Sequence, residues 1–89
     1  MDLSIVIPVY NEAEKIARDV AAAGDFLRRH DLRGEVIVVD DGSTDETARR
    51  VRGLPGDEQV EVRLVQLDAN QGKGAAVRAG MLASRGEYT

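Results

Sequence analysis

The sequence predicts an α/β fold in which a parallel sheet is covered by helices on both faces, and three observations lead to it. Strand-like and helix-like stretches alternate through all 89 residues, as strand, helix, strand, helix, strand, helix. Ile37, Val38 and Val39 form a continuous β-branched run, the composition of a strand buried on both faces. The connections between stretches are short, as right-handed βαβ units require.

The first strand runs from Leu3 to Val9, with Pro8 tolerable only because it stands near the strand's end. A helix is expected from Glu12 to His30, because Ala13, Ile16, Ala17, Val20, Ala23 and Leu27 recur at helical spacing. Its charges suit the helix dipole, with Glu12 and Glu14 in the first turn and Arg28, Arg29 and His30 at the end. Gly34 marks the turn into the second strand. Ser43 with Glu46 three residues later reads as a capping box opening a short helix over Asp45 to Leu54, with Ala48, Val51 and Leu54 inward. Residues 53 to 59 form a loop by composition. The third strand, Val60 to Leu67, alternates apolar and charged residues and is expected at a sheet edge. Asn70 or Gln71 caps the last helix, whose stripe of Ala75, Ala76, Ala79, Leu82 and Ala83 suits close packing on a sheet, and Gly86 stops it. Glu87, Tyr88 and Thr89 read as the beginning of a fourth strand.

Composition excludes several functions. The formal net charge is −4, and Tyr10, Phe26 and Tyr88 are the only aromatic residues, which disfavours nucleic acid as a partner. There is no cysteine, hence no disulfide framework and no thiolate metal site, in keeping with a reducing cytoplasm. No apolar run approaches the roughly 20 residues that cross a bilayer, and the N-terminus lacks a signal-peptide pattern. His30 is the sole histidine and sits at a predicted helix end, so neither a Ser-His-Asp triad nor a His cluster for metal can be built on it.

Three loops leave the carboxyl ends of the three strands, where open α/β sheets hold ligands. The first, Pro8-Val9-Tyr10-Asn11-Glu12, offers a ring for stacking and polar groups for hydroxyls and ring nitrogens, although Asn11 is equally a plain N-cap. The second, Asp40-Asp41-Gly42-Ser43, ends a buried strand in two acids, which fits nucleotide readers, metal ligands, acid-base partners or turn residues. The third, Asn70-Gln71-Gly72-Lys73-Gly74, would welcome a phosphate at a helix N-terminus but satisfies neither the dinucleotide fingerprint nor the P-loop.

With these loops together, the chain resembles the N-terminal nucleotide-binding segment of a family 2 glycosyltransferase of the GT-A fold. Ser4 to Glu12 resembles the family's first strand and loop and Val38 to Asp45 its second. Asn70 to Gly80 is similar to the branch that serves dolichyl or other polyprenyl phosphates. The resemblance implies a Rossmann-like, three-layer partial domain over residues 1 to 89, with parallel strands in the order 3-2-1 and a truncated fourth strand. It implies a nucleotide site of Pro8, Val9, Tyr10, Asn11, Glu12, Asp40, Asp41, Gly42, Ser43, Gly72 and Lys73, with no catalytic residue and no metal ligand in this stretch. The intact enzyme would move a hexose from a UDP- or GDP-linked sugar to a polyprenyl phosphate or similar acceptor, at the cytoplasmic face of a membrane. It would use a divalent cation, Mg2+ or Mn2+, held by an Asp-x-Asp motif beyond Thr89, so these residues alone would bind no cation and complete no transfer. Self-association through the exposed edge of the first strand is expected. The alternatives are a nucleotidyltransferase, which wants a glycine- and arginine-rich loop after the first strand, and a regulatory module holding a cation on Asp40 and Asp41.

Overall fold

A computed structural model of the protein describes residues 1–86, so the fourth strand expected from Glu87 lies outside the described residues. The elements are β1 (Leu3–Val9), α1 (Ile16–Arg29), β2 (Gly34–Asp40), α2 (Thr47–Arg52), β3 (Val60–Gln66) and α3 (Lys73–Ala83). The strands form one parallel sheet with β2 between β1 and β3, the order expected. Leu3 lies beside Gly34 and Val9 beside Asp40, while Gly34 and Asp40 lie beside Val60 and Gln66. Equal strand lengths in this register bring all three carboxyl ends to one edge of the sheet.

Every residue of β2 is buried, as its continuous apolar run requires. Val36 and Val38 point to a core completed by Ile16, Val20 and Leu27 of α1 and Val51 of α2. Ile37 and Val39 point the other way, to Ala76 of α3. All four are fully buried, each stabilising the fold by about 1.5–3 kcal/mol, so β2 organises both outer layers.

The helix starts differ from expectation. α1 begins at Ile16 rather than Glu12, because residues 12–15 form a turn in which the Lys15 and Ile16 amides both donate to the Glu12 carbonyl. Asn11 adopts a positive φ of 52° and cannot cap the helix; Asp19, not Glu12, is the acid of the first turn, and Ala17 is exposed. The capping box does not form: α2 begins at Thr47, and the Ser43 hydroxyl accepts instead from the Asn11 amide at 2.8 Å. The Thr47 amide donates to Asp45 at 2.9 Å.

In α3, Ala76 and Gly80 lie four residues apart and define the buried line; Leu82, expected inside, is 82% exposed. A Cβ on Gly80 would stand 2.3 Å from a Val6 methyl, so this glycine sets the closeness of α3 to the sheet. Neither Asn70 nor Gln71 caps α3, whose N-cap is Gly72 at φ 96°. Gly86 does not stop the helix, which ends at Ala83; a Cβ there would lie 2.7 Å from the Leu3 carbonyl carbon, and its amide donates to the Ser4 hydroxyl. At this amino end of the sheet Glu35 is fully buried. It accepts from the Ser4 hydroxyl (2.6 Å), Arg63 (2.7 Å) and the Arg85 amide (2.6 Å), tying three strands and the segment after α3 to one carboxylate.

Candidate functional site

At the opposite, carboxyl end of the sheet the three loops enclose an open cleft of about 380 Å3. Its walls come from Pro8, Val9, Tyr10 and Glu12 on the first loop, Asp41 on the second, and Asn70, Gly72, Lys73 and Ala76 on the third loop and α3. Seven of the residues expected at a nucleotide site therefore meet: Pro8, Val9, Tyr10, Glu12, Asp41, Gly72 and Lys73. The other four, Asn11, Asp40, Gly42 and Ser43, stand outside the cleft lining; Asn11 and Ser43 join the first two loops, Asp40 shapes the second, and Gly42 lets the third approach it.

The two adjacent acids have separate positions and partners. Asp40 is buried and accepts from the Ser43 amide at 2.9 Å, shaping the turn that leaves β2. Asp41, also buried, accepts from the Gln71 amide at 2.7 Å on one oxygen and from the Gly72 amide at 2.9 Å on the other. It thus fixes the turn that precedes α3 without capping the helix itself. Each carboxylate oxygen has two lone pairs, so Asp41 retains acceptor capacity at the cleft wall. Gly42, at φ 73°, lets the third loop close in, since a Cβ there would lie 2.4 Å from the Asn70 amide nitrogen.

Asn11 and Ser43 join the first two loops: the Asn11 amide donates to Ser43, and the Thr44 amide donates to the Asn11 side chain at 2.9 Å. The Glu12 amide donates to the Thr47 hydroxyl at 3.0 Å. That hydroxyl in turn hydrogen-bonds to Asp45, holding its carboxyl below the ordinary carboxylate range. Thr47 is fully buried and had no sequence signal, because its partners lie in two different loops.

The cleft therefore offers an aromatic face in Tyr10, which is 45% exposed, acceptors in Glu12 and Asp41, and one cation, Lys73, at the first residue of α3. It suits a ligand with a planar ring, hydroxyls and a negative charge. Among the described residues no group of three or more His, Cys, Asp or Glu side chains is placed to hold a metal ion.

The family model for glycosyl transferase family 2 matches residues 4–89. The chain belongs to this family. Among its relatives are the dolichyl-phosphate beta-glucosyltransferases of Dictyostelium discoideum, 39% identical over 92 residues, and of Saccharomyces cerevisiae, 38% identical over 91. The dodecaprenyl-phosphate galacturonate synthase of Rhizobium johnstonii is 37% identical over 86 residues. Each alignment covers 97% of this chain but only 28%, 27% and 25% of the relative, respectively, so the chain spans about a quarter of their length. A solved structure of mannosyltransferase PcManGT from Pyrobaculum calidifontis, in complex with GDP-Man and Mn2+, superposes with a TM-score of 0.71 at 28% identity. It covers 96% of this chain and 25% of that one. The α/β, GT-A fold expected of the family 2 chain is thus observed. No helix among its described residues is long and apolar enough to cross a membrane.

Proposed function

We propose that this family 2 chain holds the nucleotide of a UDP- or GDP-linked sugar for a hexosyltransferase that acts on a polyprenyl phosphate or similar acceptor. The carrying observation is the convergence of Tyr10, Glu12, Asp41 and Lys73, from three separate strand ends, on one cleft. In this reading Tyr10 stacks on the base, and Glu12 and Asp41 accept from base N–H groups and ribose hydroxyls. Lys73, beside the Gly72 turn, faces the diphosphate. The acceptor class is supported by the dolichyl- and dodecaprenyl-phosphate relatives.

The solved neighbour is in complex with GDP-Man and Mn2+, and a divalent cation in the intact enzyme would supply charge neutralisation at the leaving diphosphate. In this reading the described residues bind and orient the nucleotide. Titration of the chain with UDP and GDP, with and without Mn2+, tests the reading. The expected result is weak binding that is lost in Asp41→Ala and little changed by Mn2+. Equal binding by wild type and Asp41→Ala removes it.

A further inference from the structure

The side chains that line the first wall of the cleft, Tyr10 and Glu12, flank a backbone segment that makes its tertiary hydrogen bonds to the second loop. The Asn11 amide is held by Ser43 and the Glu12 amide by the buried Thr47 hydroxyl, which in turn donates to Asp45. Asn11, in the left-handed region at φ 52°, returns the contact by accepting from Thr44. None of Asn11, Ser43, Asp45 or Thr47 lines the cleft. A hydroxyl that is fully buried, accepts from one loop and donates to another has no freedom to serve a ligand.

We propose that Thr47 is a positioning residue for the nucleotide site: its hydroxyl locks the Glu12 backbone to the second loop, so that Tyr10 and Glu12 are set before the nucleotide arrives. The inference rests on the nucleotide reading above. Its physical basis is preorganisation, since a segment ordered in advance spares the binding step the cost of ordering it. Asn11 completes the same brace. Its positive φ makes glycine, rather than alanine, the substitution that deletes the side-chain acceptor without adding backbone strain.

The test compares Thr47→Val and Thr47→Ser with the wild-type chain by amide exchange in the absence of nucleotide and by titration with UDP and GDP. Valine keeps the buried shape and loses the hydroxyl, whereas serine keeps the hydroxyl and loses a methyl. In Thr47→Val the Glu12 amide is expected to exchange about tenfold faster while β2 amides hold their protection, with nucleotide affinity about threefold to tenfold weaker. Thr47→Ser restores both. Unchanged Glu12 protection in Thr47→Val, or equal losses of affinity in the valine and serine variants, overturns the proposal. If Thr47→Val does not fold, Asn11→Gly reads the same brace through the Thr44 amide, and unchanged protection there counts equally against it. A wild-type chain that takes up neither nucleotide overturns the nucleotide reading instead, and Glu12 exchange still decides whether Thr47 holds the loop.

Discussion

Asp41 and Glu35 are both buried carboxylates, at opposite ends of the sheet, and the contrast between them separates site from scaffold. Asp41 was legible from sequence as a ligand candidate because it ends an apolar strand, but its grip on Gln71 and Gly72, thirty residues on, was not. Glu35 interrupts the same strand at its start, and nothing local reveals that its partners are Ser4, Arg63 and Arg85. Burial alone would raise the Glu35 pKa, yet the hydrogen bonds from Ser4, Arg63 and Arg85 outweigh it and lower the value from 4.5 to about 2. The carboxyl is therefore more acidic folded than unfolded, and its contribution to stability is complete above the unfolded pKa and lost as pH falls from about 4.5 to about 2. Its size is on the order of 3 kcal/mol. Urea midpoints measured across that window should fall steeply for wild type and much less for Glu35→Gln; parallel profiles would show that Glu35 does not couple folding to protonation. At the cleft, Tyr10→Ala should weaken nucleotide binding by about 1–3 kcal/mol, the usual worth of stacking a base on an aromatic ring, whereas Tyr10→Phe should leave it nearly intact. Equal losses in the two variants, read by titration, would assign Tyr10 a hydrogen-bonding role instead.

Among the elements, strands were read well and helix starts poorly, for a physical reason. Strands β1, β2 and β3 follow apolar runs whose burial is dictated by the sheet, and their observed bounds match the sequence to within about two residues. The first turns of α1 and α2 instead gave way to contacts between loops: Ser43 and Asn11, good caps in isolation, bond to each other. The inward face of α3 was misread at Leu82 because Gly80, a residue without a side chain, is the point of contact. Two opposing effects meet there. Alanine at Gly80 gains up to about 1 kcal/mol of helix propensity, but its Cβ would press on Val6 at 2.3 Å and Val39 at 3.0 Å, and overpacking costs about 1–3 kcal/mol. Packing wins, so Gly80→Ala should lower the urea midpoint. Gly74→Ala, in the same helix with nothing within 4 Å of the new Cβ, should raise it; a gain in both would show that α3 slides freely on the sheet.

For the whole molecule, the layer order and strand order agree with the resemblance to family 2, because a parallel βαβ unit leaves few other arrangements. What the sheet leaves open is the outer edge of β1, which no strand pairs among the described residues. Leu3, Ile5 and Val6 of that edge form an apolar groove with Val77 and Met81 of α3, and Met81 is 55% exposed there. An unpaired apolar edge is a template for another strand; we propose that copies of this 89-residue chain, taken by itself, associate through it in sedimentation equilibrium, and Met81→Lys should shift them toward monomer. A single monomeric mass over a wide concentration range would contradict this. Salt separates the possible causes. The net charge of −4 sets copies against one another, and salt screens that repulsion, so association through the apolar edge should strengthen as salt is added. Association that weakens with salt would have to be held by ion pairs between copies, and the β1 edge carries none of the charges that could make them.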